Sequence, residues 1–306
     1  MTAGFFVGRG CLWHAAAGAL SSDVGYARLL LRGRAGGFRV KGEWTVRASD
    51  VVYEDEWIIV VNKAYGVPSQ PTRDPDRDNV FDAVTRYLAR REGKTPYLGL
   101  HHRLDALTTG LLLLTKAREA NASISAQFQS RRIGKSYCAI GAGSAPVSET
   151  YIRPGATWTA DGPIGEAPGR EQRFMVGGRG RRPARTEILC ERAVRFAGGV
   201  AGMYACHPLT GRTHQIRVHL AWCGLGIVGD PFYGELPRAL RALWPGRMCL
   251  HAERLEFEHP MTGERMEVAA PRPEAFVRFF EKIERMSRAT TGREFLWGEG
   301  ASGGRG

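Results

Sequence analysis

Short apolar runs recur along the 306-residue chain, and most are not separated by enough helix-forming sequence for a parallel crossover connection. The clearest runs are the β-branched segment at 57–61 and the leucines at 111–114, and two further strands are expected near 185–195 and 200–207. Each has the length and composition of a strand. Strands therefore outnumber helices, and the pattern predicts an α+β or mixed fold rather than a doubly wound nucleotide-binding sheet.

Four helices and three further strands complete the predicted order of elements. The helices are expected at 79–91, 117–131, 213–223 and 273–286, and the strands at 97–104, 135–140 and 249–256. Asp78 or Asn79 can cap the first helix, and Thr213 the third. Residues 155–183 are rich in Gly, Pro and Arg, which predicts an exposed loop. The arginines of that loop could contact phosphate or simply face solvent, and the second reading is slightly favoured.

The chain is expected to form one main domain between two weakly patterned ends. The main domain is predicted to span 51–286. Residues 1–50 hold a basic pattern near 28–42 that is compatible with a strand-turn unit or with a loosely ordered arm. Residues 287–306 include six glycines and are predicted to be a flexible tail.

The charge balance favours a polyanionic partner. The formal net charge is +12, and 37 of the 43 basic residues are arginine. Arginine suits forked contacts to phosphate and stacking on bases. A compositional bias of the genome also enriches Arg, Gly and Ala. Composition alone therefore does not distinguish a nucleic-acid partner from such a bias.

Cysteine usage and hydropathy limit the cellular setting. The six cysteines are scattered, and no pair forms C-x-x-C or a zinc-ribbon spacing with histidine. Buried reduced thiols are therefore expected, which indicates a reducing, cytoplasmic setting. The first 20 residues make a poor signal peptide, and no uninterrupted apolar run is long enough to span a bilayer.

Two segments could carry chemistry, and the first surrounds Asp105. An expected strand leads into the polar turn that follows Asp105, and the leucine strand leaves it. A carboxylate held in this way can be a nucleophile, a base or a metal ligand, or only a turn residue that accepts local N–H groups. Arg103 would share its side of an extended chain, where it could pair with Asp105 or reach a phosphate.

The second segment is Pro208–Leu220, in which Arg217 lies near the apolar side of an expected helix. A partly buried arginine needs a carboxylate partner. His207, His214 and His219 invite a metal interpretation. However, the five-residue spacing of the last two does not suit ligands on one helical face, and no H-E-x-x-H is present, so no metal site is predicted.

Together these segments resemble the RluA-type pseudouridine synthases. The resemblance rests on His102-Arg103-Leu104-Asp105-x-x-Thr108-Thr109-Gly110-Leu111-Leu112, Lys135-x-Tyr137-x-Ala139, Gly211-Arg212-Thr213-His214-Gln215-Ile216-Arg217-Val218-His219-Leu220, Gly229-Asp230-Pro231-x-Tyr233-Gly234, and Leu250-His251-Ala252 with His259-Pro260-x-Thr262-Gly263. Val61-Asn62-Lys63-x-x-Gly66 is similar to the opening strand and turn of that family. The resemblance covers about 51–275, with the motifs in the family's order and spacing.

The resemblance implies an α+β domain with an elongated, bent, mixed or antiparallel sheet flanked by helices and a cleft across its middle. It implies isomerisation of uridine in ribosomal or transfer RNA to pseudouridine, with the base flipped out and without metal or cofactor. By motif position Asp105 would be the essential carboxylate, and Arg217 would pair with it. Tyr137 would pack on the target base and could help to remove the proton from C5. Further substrate-binding positions implied by the motifs are Arg103, His102, Thr108, Arg212, His214 and Ile216.

Two other functions stay open on sequence grounds. One is a non-catalytic RNA-binding protein that uses the same cleft in ribosome assembly or RNA folding, and the other is a metal-dependent phosphohydrolase. Residues 1–50 match the S4 RNA-binding domain of many relatives poorly, so RNA docking is expected to depend on the catalytic domain itself. A monomer without membrane association is the default expectation, and the motifs do not distinguish between RNA targets.

Overall fold

The chain forms a long mixed sheet with helices on both faces. The computed structural model describes residues 30–32, 38–40, 44–144, 146–169 and 172–291. The helices are α1 (Val80–Glu92), α2 (Glu119–Gln129), α3 (Glu149–Ile152), α4 (Gln215–Trp222) and α5 (Glu274–Thr291). The strands are β1 (Leu30–Arg32), β2 (Phe38–Val40), β3 (Val51–Glu54), β4 (Ile58–Lys63), β5 (Gly99–Leu100), β6 (Thr109–Thr115), β7 (Gly134–Gly143), β8 (Thr157–Asp161), β9 (Ile164–Glu166), β10 (Phe174–Val176), β11 (Arg179–Arg182), β12 (Arg185–Phe196), β13 (Gly199–Pro208), β14 (Gly226–Ile227), β15 (Leu250–Glu258) and β16 (Arg265–Ala269).

The main sheet has eleven strands, and its central path runs β3-β4-β6-β15-β7-β13-β12-β8. Among the described pairings, β6 with β15 is parallel and the others in this sheet are antiparallel. A second sheet has the order β10-β9-β11, and β1 pairs with β2. The predicted α+β class is confirmed.

The leucine strand β6 is buried on both faces. Leu112 and Leu114 pack with the apolar side of α1, whereas Leu111 and Leu113 pack with Ile124 of α2. A strand covered by a helix on each side needs apolar residues at every position rather than in alternation. This explains why the segment is an uninterrupted apolar run.

The other half of the sheet also separates two cores. Ala139 of β7 packs with α4, whereas Cys138 and Ile140 face the core that contains α5. Successive residues of a strand point to opposite faces. Helix α5 therefore covers the face of the sheet opposite to α4.

The two halves meet at a narrow parallel contact between β6 and β15. Only two residue pairs are in register there, His251 with Thr109 and Ala252 with Gly110. Gly110 has φ +109°, and a Cβ at this position would collide with the backbone of Ala252. Glycine is therefore required for the two strands to approach each other.

Most predicted elements are confirmed within a few residues. The segments at 57–61, 111–114, 135–140, 185–195, 200–207 and 249–256 all lie in strands, and the four predicted helices are present. Asn79 caps α1, because its side chain accepts a hydrogen bond from the amide of Asp82. Helix α5 continues to Thr291, beyond the predicted end at 286.

Three local predictions were wrong. Residues 155–183 contain strands β8 to β11 rather than one loop, and the close contact between Gly165 and Gly178 there leaves no room for a Cβ. Only 99–100 of the predicted strand 97–104 is extended, because the Ser69 side chain bonds both backbone groups of Leu104. Thr213 does not cap α4, since His214 occupies the cap position with φ +58°.

The predicted ends of the domain are described only in part. Trp44 and Val46 are buried in the same core as β4 and α1, so the folded unit includes residues before 51. Backbone pairing of β1 with β2 falls within the basic pattern near 28–42. The rest of 1–43 and residues 292–306 lie outside the described residues. No helix in the described ranges is both long and apolar enough to cross a bilayer.

Candidate active site

Asp105 lies in a tightly held loop at the start of β6, beside the contact between the two halves. The amide of Thr108 donates to the backbone oxygen of Asp105, which closes a turn. On one side of Asp105, the Ser69 hydroxyl bonds the backbone of Leu104. On the other side, the carbonyl of Ala106 accepts from the Gly66 amide. The carboxylate is therefore presented by a fixed backbone.

The ammonium group of Lys63 further restrains the loop that carries Asp105. It is fully buried and donates to the carbonyl oxygens of Ala64, Val67 and Ala106 at 2.8–3.0 Å. Burial lowers the pKa of Lys63 to about 7, and the opposite charge of Asp105 partly offsets that effect. Lys63 thus joins the turn after β4 to the loop that carries Asp105.

Arg217 reaches Asp105 from α4. Its Nη1 donates to Oδ2 of Asp105 at 2.9 Å, and its Nε and Nη2 donate to both oxygens of Asp230 at 2.7 and 2.9 Å. The side chains of Arg217 and Asp230 are 3% and 0% exposed. The predicted pairing of Arg217 with a carboxylate is confirmed, and Asp230 is a second partner.

Asp230 fixes the direction of the guanidinium. Its Oδ1 also accepts from the backbone amides of Phe232 and Tyr233. The rings of Phe232 and Tyr233 lie 5.5 and 5.1 Å from the central carbon of Arg217. A bidentate arginine–carboxylate pair with these extra bonds has one geometry, so the third nitrogen of Arg217 has a set position for Asp105.

His214 is a second side chain near the carboxylate of Asp105. Its Nε2 is 3.7 Å from Oδ2 of Asp105, and its Nδ1 shares a hydrogen bond of 2.8 Å with the Tyr233 hydroxyl. Burial lowers the pKa of His214 below its usual value, with opposing contributions from the surrounding charges. The ring also contacts Phe174 of β10 edge-on. This contact connects the second sheet, β10-β9-β11, to the centre of the site.

Tyr137 comes from β7, next to β15 in the sheet. Its ring packs against both apolar cores that meet at the middle of the molecule. Burial raises the pKa of Tyr137 well above its usual value, and the charge of Asp105 adds to the shift. The phenol is therefore protonated at neutral pH.

The remaining predicted residues line one cleft of about 1240 Å³ together with Asp105, Tyr137 and Arg217. Thr108 and Ile216 are buried in its wall, Arg103 is exposed, and Arg212 is half-buried. Arg103 makes no ion pair with Asp105, in contrast to one of the two possibilities raised by the sequence. His102 stacks on Phe128 and accepts a hydrogen bond from the amide of Leu113, so its ring also supports the fold.

The sequence did not identify Lys63 and Asp230 as parts of this site, although both lie in quoted motifs. A buried guanidinium has donors for more than one carboxylate, which was a signal for a second partner beside Asp105. A lysine at the end of a buried β-branched strand was a weaker signal that Lys63 belongs to the site. No cluster of three or more potential metal-ligating His, Cys, Asp or Glu side chains occurs among the described residues.

The arrangement has a definite chemical capacity. One carboxylate pairs with a buried guanidinium, and within the described part of the chain only its Oδ2 is hydrogen-bonded. Its Oδ1 can therefore meet an electrophilic carbon, in a cleft with aromatic and basic walls. Such a group can stabilise or trap positive charge at a sugar carbon.

The comparisons agree with this geometry. The family model described as RNA pseudouridylate synthase matches residues 57–222. The chain is 34% identical over 250 residues to a ribosomal large subunit pseudouridine synthase D of Pseudomonas aeruginosa, covering 78% of this chain and 73% of the relative. It is 32% identical over 249 residues to a ribosomal large subunit pseudouridine synthase C of Escherichia coli K12, covering 77% and 70%.

A solved structure is similar over the same region. The human RNA pseudouridylate synthase domain containing 1 matches with a TM-score of 0.57 at 29% identity, covering 73% of this chain and 83% of that one. The fold implied by the sequence motifs is confirmed by this likeness. The chain belongs to the RNA pseudouridylate synthase family, within its RluA-type branch.

Proposed function

We propose that this protein converts uridine to pseudouridine in ribosomal RNA, and that Asp105 is the carboxylate that acts on the ribose. The ion pair between Asp105 and the buried Arg217 carries the proposal. It places one carboxylate in a large basic cleft, with an Oδ1 that no described residue hydrogen-bonds. The relatives named as ribosomal large subunit synthases support ribosomal RNA as the substrate.

The reaction is an isomerisation, and its atoms balance without an oxidant or reductant. The N1–C1′ bond of uridine breaks, the uracil turns, and a C5–C1′ bond forms. The proton lost from C5 is balanced by one gained at N1. Cleavage develops positive charge at the sugar, which the Asp105 carboxylate stabilises or traps as an ester. We propose that no metal or cofactor takes part, so activity should persist in a chelator.

Tyr137 has a packing role in this proposal. Its pKa is raised by burial, so the neutral phenol is a poor proton acceptor. Its ring can instead lie against the uracil while the base turns, and the C5 proton can pass to the carboxylate of Asp105 or to water. Thr108, Ile216 and His214 line the same space and would contact the nucleotide.

The target base must leave its stack before it can reach Asp105. Extruding a base costs a few kcal/mol, and a side chain that fills the gap reduces that cost. Arg103 lies exposed two residues before Asp105 and has the planar group suited to this position. His102 and Arg212 lie on the walls through which the strand would pass. We propose that a monomer suffices, since these residues all come from one chain.

Tritium release from RNA labelled at C5 of uridine tests the proposal. The wild-type protein should release tritium from large-subunit ribosomal RNA, and Asp105→Asn should reduce the rate at least about 1000-fold because its amide cannot stabilise the sugar cation. RNA affinity should stay within a few-fold, and Arg285→Gln, on the opposite face of the sheet, should behave as wild type. Turnover by Asp105→Asn would overturn the mechanism, and release from transfer RNA alone would overturn the substrate class.

A further inference from the structure

Arg131 occupies a backbone position that usually belongs to glycine. Helix α2 ends with two hydrogen bonds, from the amide of Arg132 to the carbonyl of Gln127 and from the amide of Arg131 to the carbonyl of Phe128. This pattern is a Schellman motif, whose left-handed residue is commonly Gly or Asn. Here Arg131 takes it, with φ +59°. A residue with a Cβ is strained in this conformation, so we expect the arginine side chain to bring a compensating benefit.

Packing and ion pairing do not explain that benefit. The Arg131 side chain is exposed, and it makes no ion pair with any carboxylate of the described residues. Its neighbour Arg132 differs, because it pairs with Glu258 at 3.0 Å. Arg131 instead lines the cleft that contains Asp105.

Arg212 lines the same cleft as Arg131, and Arg182 lies close enough to Arg212 for its charge to act there. Arg212, which precedes α4, donates from Nε to the carbonyl of Pro183, and this bond holds it beside the end of β11, where Arg182 lies. Burial, together with the nearby positive charges of Arg182 and Arg131, lowers the pKa of Arg212. We define Arg131, Arg182 and Arg212 as the arginine rim.

The arginine rim is an unneutralised concentration of positive charge. None of its members forms an ion pair within the described part of the chain. The charge of Arg131 also adds to the effect of burial in lowering the pKa of Lys135, another residue of the same cleft. Of the two glutamates that line the cleft, Glu256 is paired with Arg265. Like charges held together in this way need an anion from outside the protein.

We propose that the arginine rim is a binding subsite for a backbone phosphate of the RNA, close to the nucleotide that enters the cleft. This rests on the proposed function, since the cleft must accept an RNA strand. Guanidinium groups match phosphate oxygens with paired hydrogen bonds. The strained backbone at Arg131 is then the cost of placing one of these groups at the mouth of the cleft.

The variant Arg131→Gly separates binding from folding. Glycine adopts the left-handed conformation without strain, so the melting temperature should equal or exceed that of the wild type. The dissociation constant for the target RNA should rise roughly five- to tenfold, and the slope of log K against log salt should become shallower by about one. Arg131→Lys keeps the charge and should recover most of the affinity. Arg285→Gln on α5 should bind RNA as wild type does.

Two results would overturn the subsite. One is unchanged affinity and salt dependence in Arg131→Gly, and the other is a weakened affinity that falls equally in Arg285→Gln. Failure of the proposed function would look different, because the wild type would then release no tritium from any RNA. Affinity and tritium release are measured separately, so each idea is tested by its own result.

Discussion

Arg212 and Arg217 are five residues apart in sequence but are surrounded differently. Arg217 belongs to the floor of the cleft, where it is buried and paired with two carboxylates, Asp105 and Asp230. Arg212 belongs to the arginine rim, where its guanidinium bonds a backbone carbonyl and meets other positive charges. On the floor each charged group has an opposite charge in contact with it, whereas no arginine of the rim forms an ion pair among the described residues.

This difference shows that the arginines of the cleft can serve two purposes. On the floor, charge sets geometry, because a buried guanidinium with two fixed partners can occupy only one position. At the rim, charge supplies affinity, because its positive groups gain partners only when an anion binds. Changes to the floor should therefore affect stability and turnover together, while changes to the rim should affect RNA binding and its salt dependence.

The largest effect is expected for Arg217→Met. It leaves Asp230 as a buried carboxylate without a countercharge and removes the ion pair of the partly exposed Asp105. Removal of one partner from a buried pair costs about 3–5 kcal/mol. Urea unfolding should show that loss, and tritium release should fall nearly as far as in Asp105→Asn. Arg212→Met is the matched control and should lose less than about 1 kcal/mol. Equal losses of stability in the two variants would remove the distinction between floor and rim.

A smaller effect is expected for Asp230→Asn. The amide keeps one acceptor for Arg217 but loses the charge, so we expect a loss of about 2 kcal/mol in unfolding free energy. Arg217 should then be less well aimed at Asp105, which lowers kcat with little change in KM. Steady-state kinetics would measure the split. A variant whose KM rises while kcat is retained would show that Asp230 serves binding rather than positioning.

The smallest effect concerns acid sensitivity near the floor. His102 accepts a hydrogen bond from Leu113, and burial lowers its pKa to about 3, whereas an unfolded histidine titrates near 6.5. Below pH 6.5 the unfolded chain therefore binds a proton that the native chain does not. Stability should fall by about 1.4 kcal/mol per pH unit for this histidine.

Replacing the histidine tests that assignment. Glutamine can accept the same bond without titrating, so His102→Gln should make stability less dependent on pH between about 5.5 and 4. Urea unfolding over that range would measure the change in slope, and the rim variant Arg212→Met should keep the wild-type slope. An unchanged slope in His102→Gln would mean that another group causes the acid loss.

The sequence predicted the parts of the fold that depend on local pattern. Residues 58–61 and Leu111–Leu114 lie in buried strands because every position is apolar. Asn79 is a cap because its side chain suits a helix start. The central residues Asp105 and Arg217 were found by motif, and the structure places them in contact. Their catalytic roles stay predictions until the variants are measured.

Long-range contacts account for what the sequence did not predict. Residues 101–104 have strand-like composition, but a side chain 35 positions away bonds Leu104 and keeps them out of the sheet. The second sheet, β10-β9-β11, depends on the close approach of Gly165 and Gly178. No local sequence pattern predicts that contact. Asp230 became part of the site only because Arg217 folds onto it.

The parallel contact at Gly110 has a consequence for the order of assembly. Strands β6 and β7 are near neighbours in sequence, yet β15, made more than 100 residues later, lies between them in the sheet. During synthesis the two halves cannot close around the cleft until β15 has left the ribosome. Such distant pairing slows folding, since loop closure precedes the contacts that reward it. The two halves of the sheet should therefore join around the cleft only near the end of translation.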